Sequence, residues 1–289
     1  MNKLAIIDGD ALIYHSSKET LQESILNIDE KINNIFIQTQ ATHYVIFISN
    51  TPYFRHKIDP LYKNSRTKYT SPLKWLKTLK KYLIEGWSAQ GMNLVEADDL
   101  CAYWMNTIIV CTPDGQFLPD KITVEGKMEY VQKILCSPDK DLLQSIYCID
   151  GFGHFNYTYN LPDKTRLDTL IKGWWIETTE SDADNFKRMQ VIVGDASDGI
   201  GGLKGKGIKF WEKLSKEVVP SWGEILQLYI VDYGVDQGIF EFQKNYRLLH
   251  LLDTDEDFIR EVGVLPTFPE IRQVPTKPIE EVNLEELKF

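Results

Sequence analysis

Short runs of consecutive apolar residues, each ending at a polar or acidic turn, alternate along this chain with longer segments whose apolar residues recur every three to four positions. The short runs read as strands buried on both faces, and the longer segments as helices with one apolar face. Lys3 to Ile7 is such a strand, closing at Asp8-Gly9, and a helix follows to about Gln40. Tyr44 to Ile48 is the next, ending at Ser49-Asn50-Thr51-Pro52. From Ser71 to Ile84, Leu73, Leu76, Leu79 and Leu83 keep helical spacing with lysines between them, which predicts an amphipathic helix with a positive face. Asn93 to Val95 is a short strand delivering Glu96, and Asp98-Asp99 open an apolar helix through Val110.

Residues 111–128 carry turn signals at Pro113-Asp-Gly115 and read as a peripheral insertion. Tyr130 to Cys136 is a further strand, and Tyr147 to Tyr159 suggest a hairpin around Gly151-Phe-Gly153. Ser181 to Asp184 offer caps for a helix over Phe186 to Val193. Trp174-Trp175 and Phe210-Trp211 read as core aromatics. Helical segments continue to about Leu252, and the remainder, with Pro266, Pro269, Pro275 and Pro278, reads as a loosely packed acidic tail. Strands alternating with helices predict an α/β protein with a parallel central sheet flanked by helices. The division expected is a core over 1–184 containing a basic segment at 55–95, a helical region over 185–252, and the tail over 253–289.

The strand ends carry the chemistry. Asp8-Gly-Asp10, Glu96-Ala-Asp98-Asp99, Asp139-Lys-Asp141 and Asp195-Ala-Ser-Asp198 hold nine carboxylates, and a parallel sheet collects such ends along one edge. One aspartate at a strand end is usually a turn former or a helix cap, but four motifs converging need cations. Oxygen ligands without His or Cys select hard ions, Mg²⁺ or Mn²⁺ in its place. Two such ions in a many-carboxylate site are the usual apparatus for hydrolysing phosphodiesters. Asp10 fits a ligand and a supporting group equally well.

A net charge of −10, taken alone, argues against a nucleic-acid partner. Its distribution reverses that. Residues 251–289 hold ten acids against four bases, whereas between Arg55 and Lys81 there are nine Lys/Arg and one acid, Asp59. A second basic element is Gly199-Ile-Gly-Gly-Leu-Lys-Gly-Lys-Gly-Ile-Lys209, where glycines allow close backbone approach and the turn into a helix suits a phosphate. The four cysteines, Cys101, Cys111, Cys136 and Cys148, show no metal or redox spacing and read as thiols of a reducing cytoplasm. No apolar segment approaches membrane-spanning length, so neither secretion nor membrane insertion is expected.

In order and spacing these motifs resemble the 5′-nuclease superfamily: flap endonucleases, polymerase 5′-exonuclease domains and the replication exonucleases of tailed phages. The resemblance rests on Ile6 to Asp10, Tyr62-Lys-Asn-Ser-Arg66, Val95 to Asp99, Ser137-Pro-Asp-Lys-Asp141 and Gly194 to Ile200 with its Gly/Lys turn. It implies a PIN-like fold with a helical arch over the site and a helix-three-turn-helix region that grips duplex DNA. It also implies that Asp8, Glu96, Asp98 or Asp99, and Asp139 surround one ion, while Asp141, Asp195 and Asp198 hold a second. Lys63 and Arg66 would neutralise the scissile phosphate. Arg55, Tyr62 and Lys68, with Gly202, Lys204, Gly205, Lys206, Gly207 and Lys209, would contact DNA, a potassium ion joining at the turn. The partners implied are DNA with a 5′ end, nick or flap, an RNA:DNA hybrid, and replication proteins of a phage in its host's cytoplasm.

One departure stands out: the family's second strand usually ends in another metal-associated aspartate, and Ser49-Asn50 takes that place. Asn50 is therefore expected to serve as a neutral ligand and the first ion to bind weakly. Two alternatives remain. A haloacid-dehalogenase-type phosphatase also begins with a strand ending in Asp-x-Asp, but has no use for the basic segment. A non-catalytic DNA-junction binder is suggested by the change at Asn50 alone.

Overall fold

The computed structural model describes residues 2–64, 74–120, 128–144, 153–158 and 173–276. At its centre lies a six-stranded sheet. Strand β1 (Lys3–Asp8) leads into helices α1 (Gly9–Ser16) and α2 (Leu21–Thr39), and then into β2 (His43–Phe47), which pairs with β1 in parallel. After β3 (Asn50–Tyr53) and α3 (Arg55–Ile58) come α4 (Leu76–Trp87), β4 (Asn93–Leu94) and α5 (Ala97–Asn106). A small antiparallel sheet of β5 (Ile109–Cys111), β6 (Phe117–Pro119) and β7 (Glu129–Tyr130) precedes β8 (Gln132–Cys136). Strand β8 returns to the other side of β1, again in parallel, and β9 (Gly153–Asn156) extends the sheet beyond it. Edge strands β10 (Trp174–Ile176) and β13 (Arg272–Gln273) are antiparallel.

The chain thus leaves β1 in one direction to reach β2 and in the opposite direction to reach β8, so the strand order reverses beside β1. In open α/β sheets ligands bind outside the carboxyl ends of the strands at such a reversal. The alternation of side chains explains why β1 is apolar from Leu4 to Ile7: Ala5 and Ile7 pack with Ile46 and helices α1, α2 and α4, while Leu4 and Ile6 pack with Val45, Phe47 and α5. Gly9 is required where α1 begins, because a Cβ there would lie 2.7 Å from the Phe47 carbonyl oxygen. A further core lies among α6 (Glu180–Val193), α7 (Ile208–Leu214), α8 (Trp222–Tyr233) and α9 (Val235–Leu249), centred on Ile192, Ile225 and Tyr229. Between α6 and α7 runs the tight hairpin of β11 (Gly194–Asp195) and β12 (Ile200–Gly201).

Several sequence expectations change here. The apolar run expected as helix through Val110 stops at Asn106, and Ile109–Cys111 becomes a strand. Buried Lys133 reaches under the helix end and donates to the carbonyls of Trp104, Met105 and Thr107, satisfying groups that a continued helix would have used. The cap of α6 is Thr179 paired with Asp182 in a capping box. Trp175 is half exposed on its edge strand. The hairpin expected around Gly151-Phe-Gly153 lies largely outside the described residues, and the antiparallel partner of β9 is β10.

The largest correction is the tail, which packs as far as it is described. Helix α10 (Asp255–Glu261) buries Phe258 completely, and β13 joins the central sheet beside β2. Its acids are matched locally: Asp257 meets Arg260 at 2.6 Å, and Glu261 meets Arg247 at 2.7 Å.

Candidate metal centre and nucleic-acid interface

Asp8 ends β1, and its carboxylate accepts hydrogen bonds from the Ala11 N–H at 3.1 Å and from Ser137 Oγ at 2.8 Å. Ser137 follows β8, so its hydroxyl ties the ends of adjacent parallel strands together across the strand-order reversal. Burial, and then the charge of Asp139, push the Asp8 carboxyl up to about 7, with Asp10 adding to the effect. Asp139 and Asp141 sit at the start of the 3₁₀ turn Lys140–Gln144. Asp141 is also pushed up to about 7, first by burial, then by Asp139, with Asp195 and Asp198 contributing. Gln190 of α6 donates to Asp141 at 2.6 Å, and Asp195 is held by the Ser197 N–H at 2.8 Å. Carboxylates from β1, the turn after β8, and the β11–β12 hairpin therefore converge at the strand ends.

The third motif, at the start of α5, is built differently. Arg55 is 1% exposed and uses all five N–H groups: two on Asp99, one on Glu96 at 2.8 Å, and one each on the carbonyls of Leu248 and His250. Asp99 additionally accepts from the Leu252 N–H at 3.0 Å. Burial would raise the Glu96 carboxyl, but Lys63 and Arg55 outweigh it and hold the group down at about 2. Lys63 donates to Glu96 and lies 3.7 Å from Asp198, and the Tyr62 hydroxyl bridges the same two carboxylates at 3.0 and 3.2 Å. Asp98 is less satisfied: burial, Glu96 and Asp99 push it well above the usual carboxylate range.

Two sequence assignments are corrected by these contacts. Arg55 does not present its guanidinium to a phosphate, because every donor is spent inside the protein. Tyr62 is 6% exposed and faces the carboxylates, so it supports the cluster instead of lining a DNA groove. Between the alternatives Asp98 and Asp99, the geometry favours Asp98 as ligand, since both oxygens of Asp99 are engaged by Arg55. Arg66 and Lys68 lie outside the described residues. Asn50 places its amide against Gly91, whose Cβ would lie 3.0 Å from the Asn50 nitrogen. Ser49 is the residue nearer the cluster, its N–H donating to Asp10 at 3.3 Å and its Oγ accepting from Ala97. Asp10 also meets Lys80 of α4 at 3.1 Å.

The donor set tests well for a hard cation. It is all oxygen, and Asp8, Asp98 and Asp141 are each held above the ordinary carboxylate range by burial and by neighbouring carboxylates, the state that a bound divalent ion relieves. Glu96, Asp98 and Asp99 offer oxygens within 4.8 Å of one another. His250, Asp253 and Asp257 do the same elsewhere, but Lys187 and Arg260 already balance those acids.

No family model matches the sequence, and no curated protein matches it. Solved structures do. The bacteriophage T5 D15 protein co-crystallised with metal ions superposes with a TM-score of 0.55 at 19% identity, over 87% of this chain and 90% of that one. The T5 D15 flap endonuclease in a pseudo-enzyme–product complex with DNA and metal ions gives 0.54 at 18%, with the same coverage. A mutant of T5 5′-exonuclease gives 0.50 at 18%, over 90% and 88%. The chain has the 5′-nuclease fold.

Within this 5′-nuclease fold the glycine-rich turn divides into two parts. Gly202 approaches so close to α6 that a Cβ would lie 2.2 Å from the Ile192 carbonyl oxygen, so its lack of a side chain serves packing within the protein. Gly205, at φ +69°, and Gly207 face open space, leaving backbone accessible there. Lys204 and Lys209 are exposed, and Lys206 lies over the Phe210 ring at 4.8 Å. Sequence reasoning missed the residues that hold the acids in place: Ser137, Tyr62 in that role, Gln190, Lys80 and Lys140. Tyr62 and Ser137 stood inside motifs already singled out; Gln190 and Lys80 carry no signal beyond a polar residue on an amphipathic helix.

Proposed function

We propose that this protein is a divalent-cation-dependent 5′→3′ exonuclease and structure-specific 5′ nuclease of DNA. The observation that carries the reading is the convergence of Asp8, Asp139, Asp141, Asp195 and Asp198 at the strand-order reversal, where Asp8 and Asp141 are both held up at about 7 by burial and neighbouring carboxylates. The fold shared with a flap endonuclease bound to DNA and metal ions adds to it. Two Mg²⁺ ions, replaceable by Mn²⁺, would supply Lewis acidity for phosphodiester hydrolysis. Asp8, Glu96, Asp98 and Asp139 would hold one, and Asp141, Asp195 and Asp198 the other.

The chain's own residues do the rest. Lys63 stands at the mouth of the cluster with φ +59°, its N–H held by the Asp198 carbonyl, so its backbone is fixed while its ammonium can turn from Glu96 to a phosphate. Charge developing on the phosphate is neutralised there, with Arg66 as its partner. Lys204 and Lys209, beside the open glycines, grip the duplex phosphates at a distance from the cut. Removal of primers during phage replication is the setting we assign, with RNA:DNA hybrids as further substrates.

Digestion of 5′-labelled duplex, nicked, flap and hybrid substrates with Mg²⁺, and again after EDTA and Mn²⁺, tests the reading. Release of short products from the 5′ end, stopped by EDTA and restored by Mn²⁺, is expected. Tight binding of the same substrates without any cleavage would favour a junction binder.

A further inference from the structure

Three ammonium groups already stand among the acids: Lys63 between Glu96 and Asp198, Lys80 against Asp10 and the Ser49 carbonyl, and Lys140 between Asp195 at 3.1 Å and Asp141 at 4.0 Å. They differ in how they are held. The side chains of Lys63 and Lys80 are 17% and 24% exposed, whereas that of Lys140 is 62% exposed and makes, among the described residues, a single hydrogen bond, to Asp195. An ion pair of that exposure is cheap to break.

The two carboxylates do not depend on Lys140 for their positions. Ser197 holds one oxygen of Asp195 through its N–H and its hydroxyl, at 2.8 and 2.5 Å, which leaves the other oxygen for Lys140. Gln190 holds Asp141, and is itself braced by Gln144, which donates to the Leu249 carbonyl at 2.9 Å. If the ammonium leaves, two pre-aimed carboxylates remain with no positive charge between them from the described residues. A divalent ion entering there must compete with a single charge that is tethered beside it and costs no association entropy.

We propose that Lys140 is a displaceable counter-ion: its ammonium holds the place of a divalent cation between Asp141 and Asp195, leaves when the cation enters, and then pairs with the DNA phosphate brought to that edge. The inference rests on the proposed nuclease reading. It makes cation binding and substrate binding support each other, because the phosphate takes up the ammonium that the cation expels.

Mn²⁺ binding to the whole chain without DNA, followed by electron paramagnetic resonance, tests the first half in wild type, Lys140→Met and Lys140→Arg. Lys140→Met is expected to bind Mn²⁺ about fivefold more tightly and Lys140→Arg as wild type. Equal or weaker binding in Lys140→Met overturns displacement. For the second half, the salt dependence of nicked-duplex binding in Ca²⁺ should lose about one unit of log–log slope in Lys140→Met. An unchanged slope overturns the pairing with phosphate. If none of the three proteins binds Mn²⁺, the metal reading itself fails and Lys140 has nothing to compete with.

Discussion

The acidic edge has two halves that treat the same charge in opposite ways. Around Glu96 and Asp99, a buried guanidinium, a phenol and an ammonium saturate the carboxylates, and Glu96 is held down at about 2. Around Asp8 and Asp141 the acids face one another, and both are held up at about 7. The first half is an internal salt-bridge network whose removal should damage folding, with Glu96 open to a cation only when Lys63 turns away; the second stores like-charge repulsion that the exposed Lys140 relieves in part and a divalent cation would relieve further. An acidic motif in a sequence thus says nothing of whether its charge is already spent.

The comparison can be broken most directly by function. Asp139→Asn combined with Asp141→Asn should lower DNA cleavage by roughly 10³-fold, the scale for losing a group that stabilises transition-state charge, while gel-shift affinity for duplex stays close to wild type. Retained Mg²⁺-dependent cleavage would sink the assignment. Stability separates the halves next. Arg55→Met should cost about 3–5 kcal/mol in urea denaturation, because it leaves Asp99 and Glu96 buried without their partner. Asp99→Asn should destabilise by about 1–3 kcal/mol for the same reason. Asp141→Asn in the metal-free protein at pH 8 should be neutral or stabilising, because it removes a crowded charge and keeps the bond from Gln190. Equal losses for Asp99→Asn and Asp141→Asn would erase the distinction.

A smaller effect comes from beneath the crowded half. His154 of β9 is fully buried and donates to the Ser137 carbonyl at 2.8 Å, and burial lowers its pKa to about 4. The unfolded imidazole takes up a proton below about 6.5 while the folded one stays neutral, so the contribution of His154 to stability falls as the pH drops from about 6.5 to about 4, by roughly 1–3 kcal/mol, while Asp8 and Asp141, held up at about 7, contribute with the opposite sign over the same window. The difference in thermal midpoint between wild type and His154→Gln should shift in favour of the variant as the pH falls across that window; a constant difference would remove His154 from the account. The smallest effect is expected at Asn50. With its amide against Gly91, Asn50→Asp should leave the Mn²⁺ affinity unchanged; a clear tightening would return position 50 to the ion's surroundings.

The parts of the fold legible in the sequence are those fixed by local rules. Continuous apolar runs marked β1 and β2, because both faces of those strands are covered by helices. The acid motifs were legible because each sits at a strand end or a helix start. What escaped is what depends on residues far apart in the chain. Arg55 read as one of nine basic residues, and nothing local distinguishes a guanidinium that will be enclosed by Glu96, Asp99 and the carbonyls of Leu248 and His250. Lys133 hid in an apolar strand, and the tail's prolines and acids masked Phe258, whose burial is decided by α5 and by the segment after α9.

The bonds that Leu248, His250 and Leu252 make to Arg55 and Asp99 bear on how the protein comes into being. A ribosome delivers the N-terminal end first, at about 5–20 residues per second, so the first three acid motifs emerge well before the segment that completes their framework. Until residue 252 is clear of the exit tunnel, Asp99 lacks the Leu252 N–H and Arg55 lacks both of its carbonyls. A nascent or prematurely terminated chain therefore lacks the bonds that brace Arg55 and Asp99, and the acidic edge is completed only by the last of its contributing segments to be synthesised.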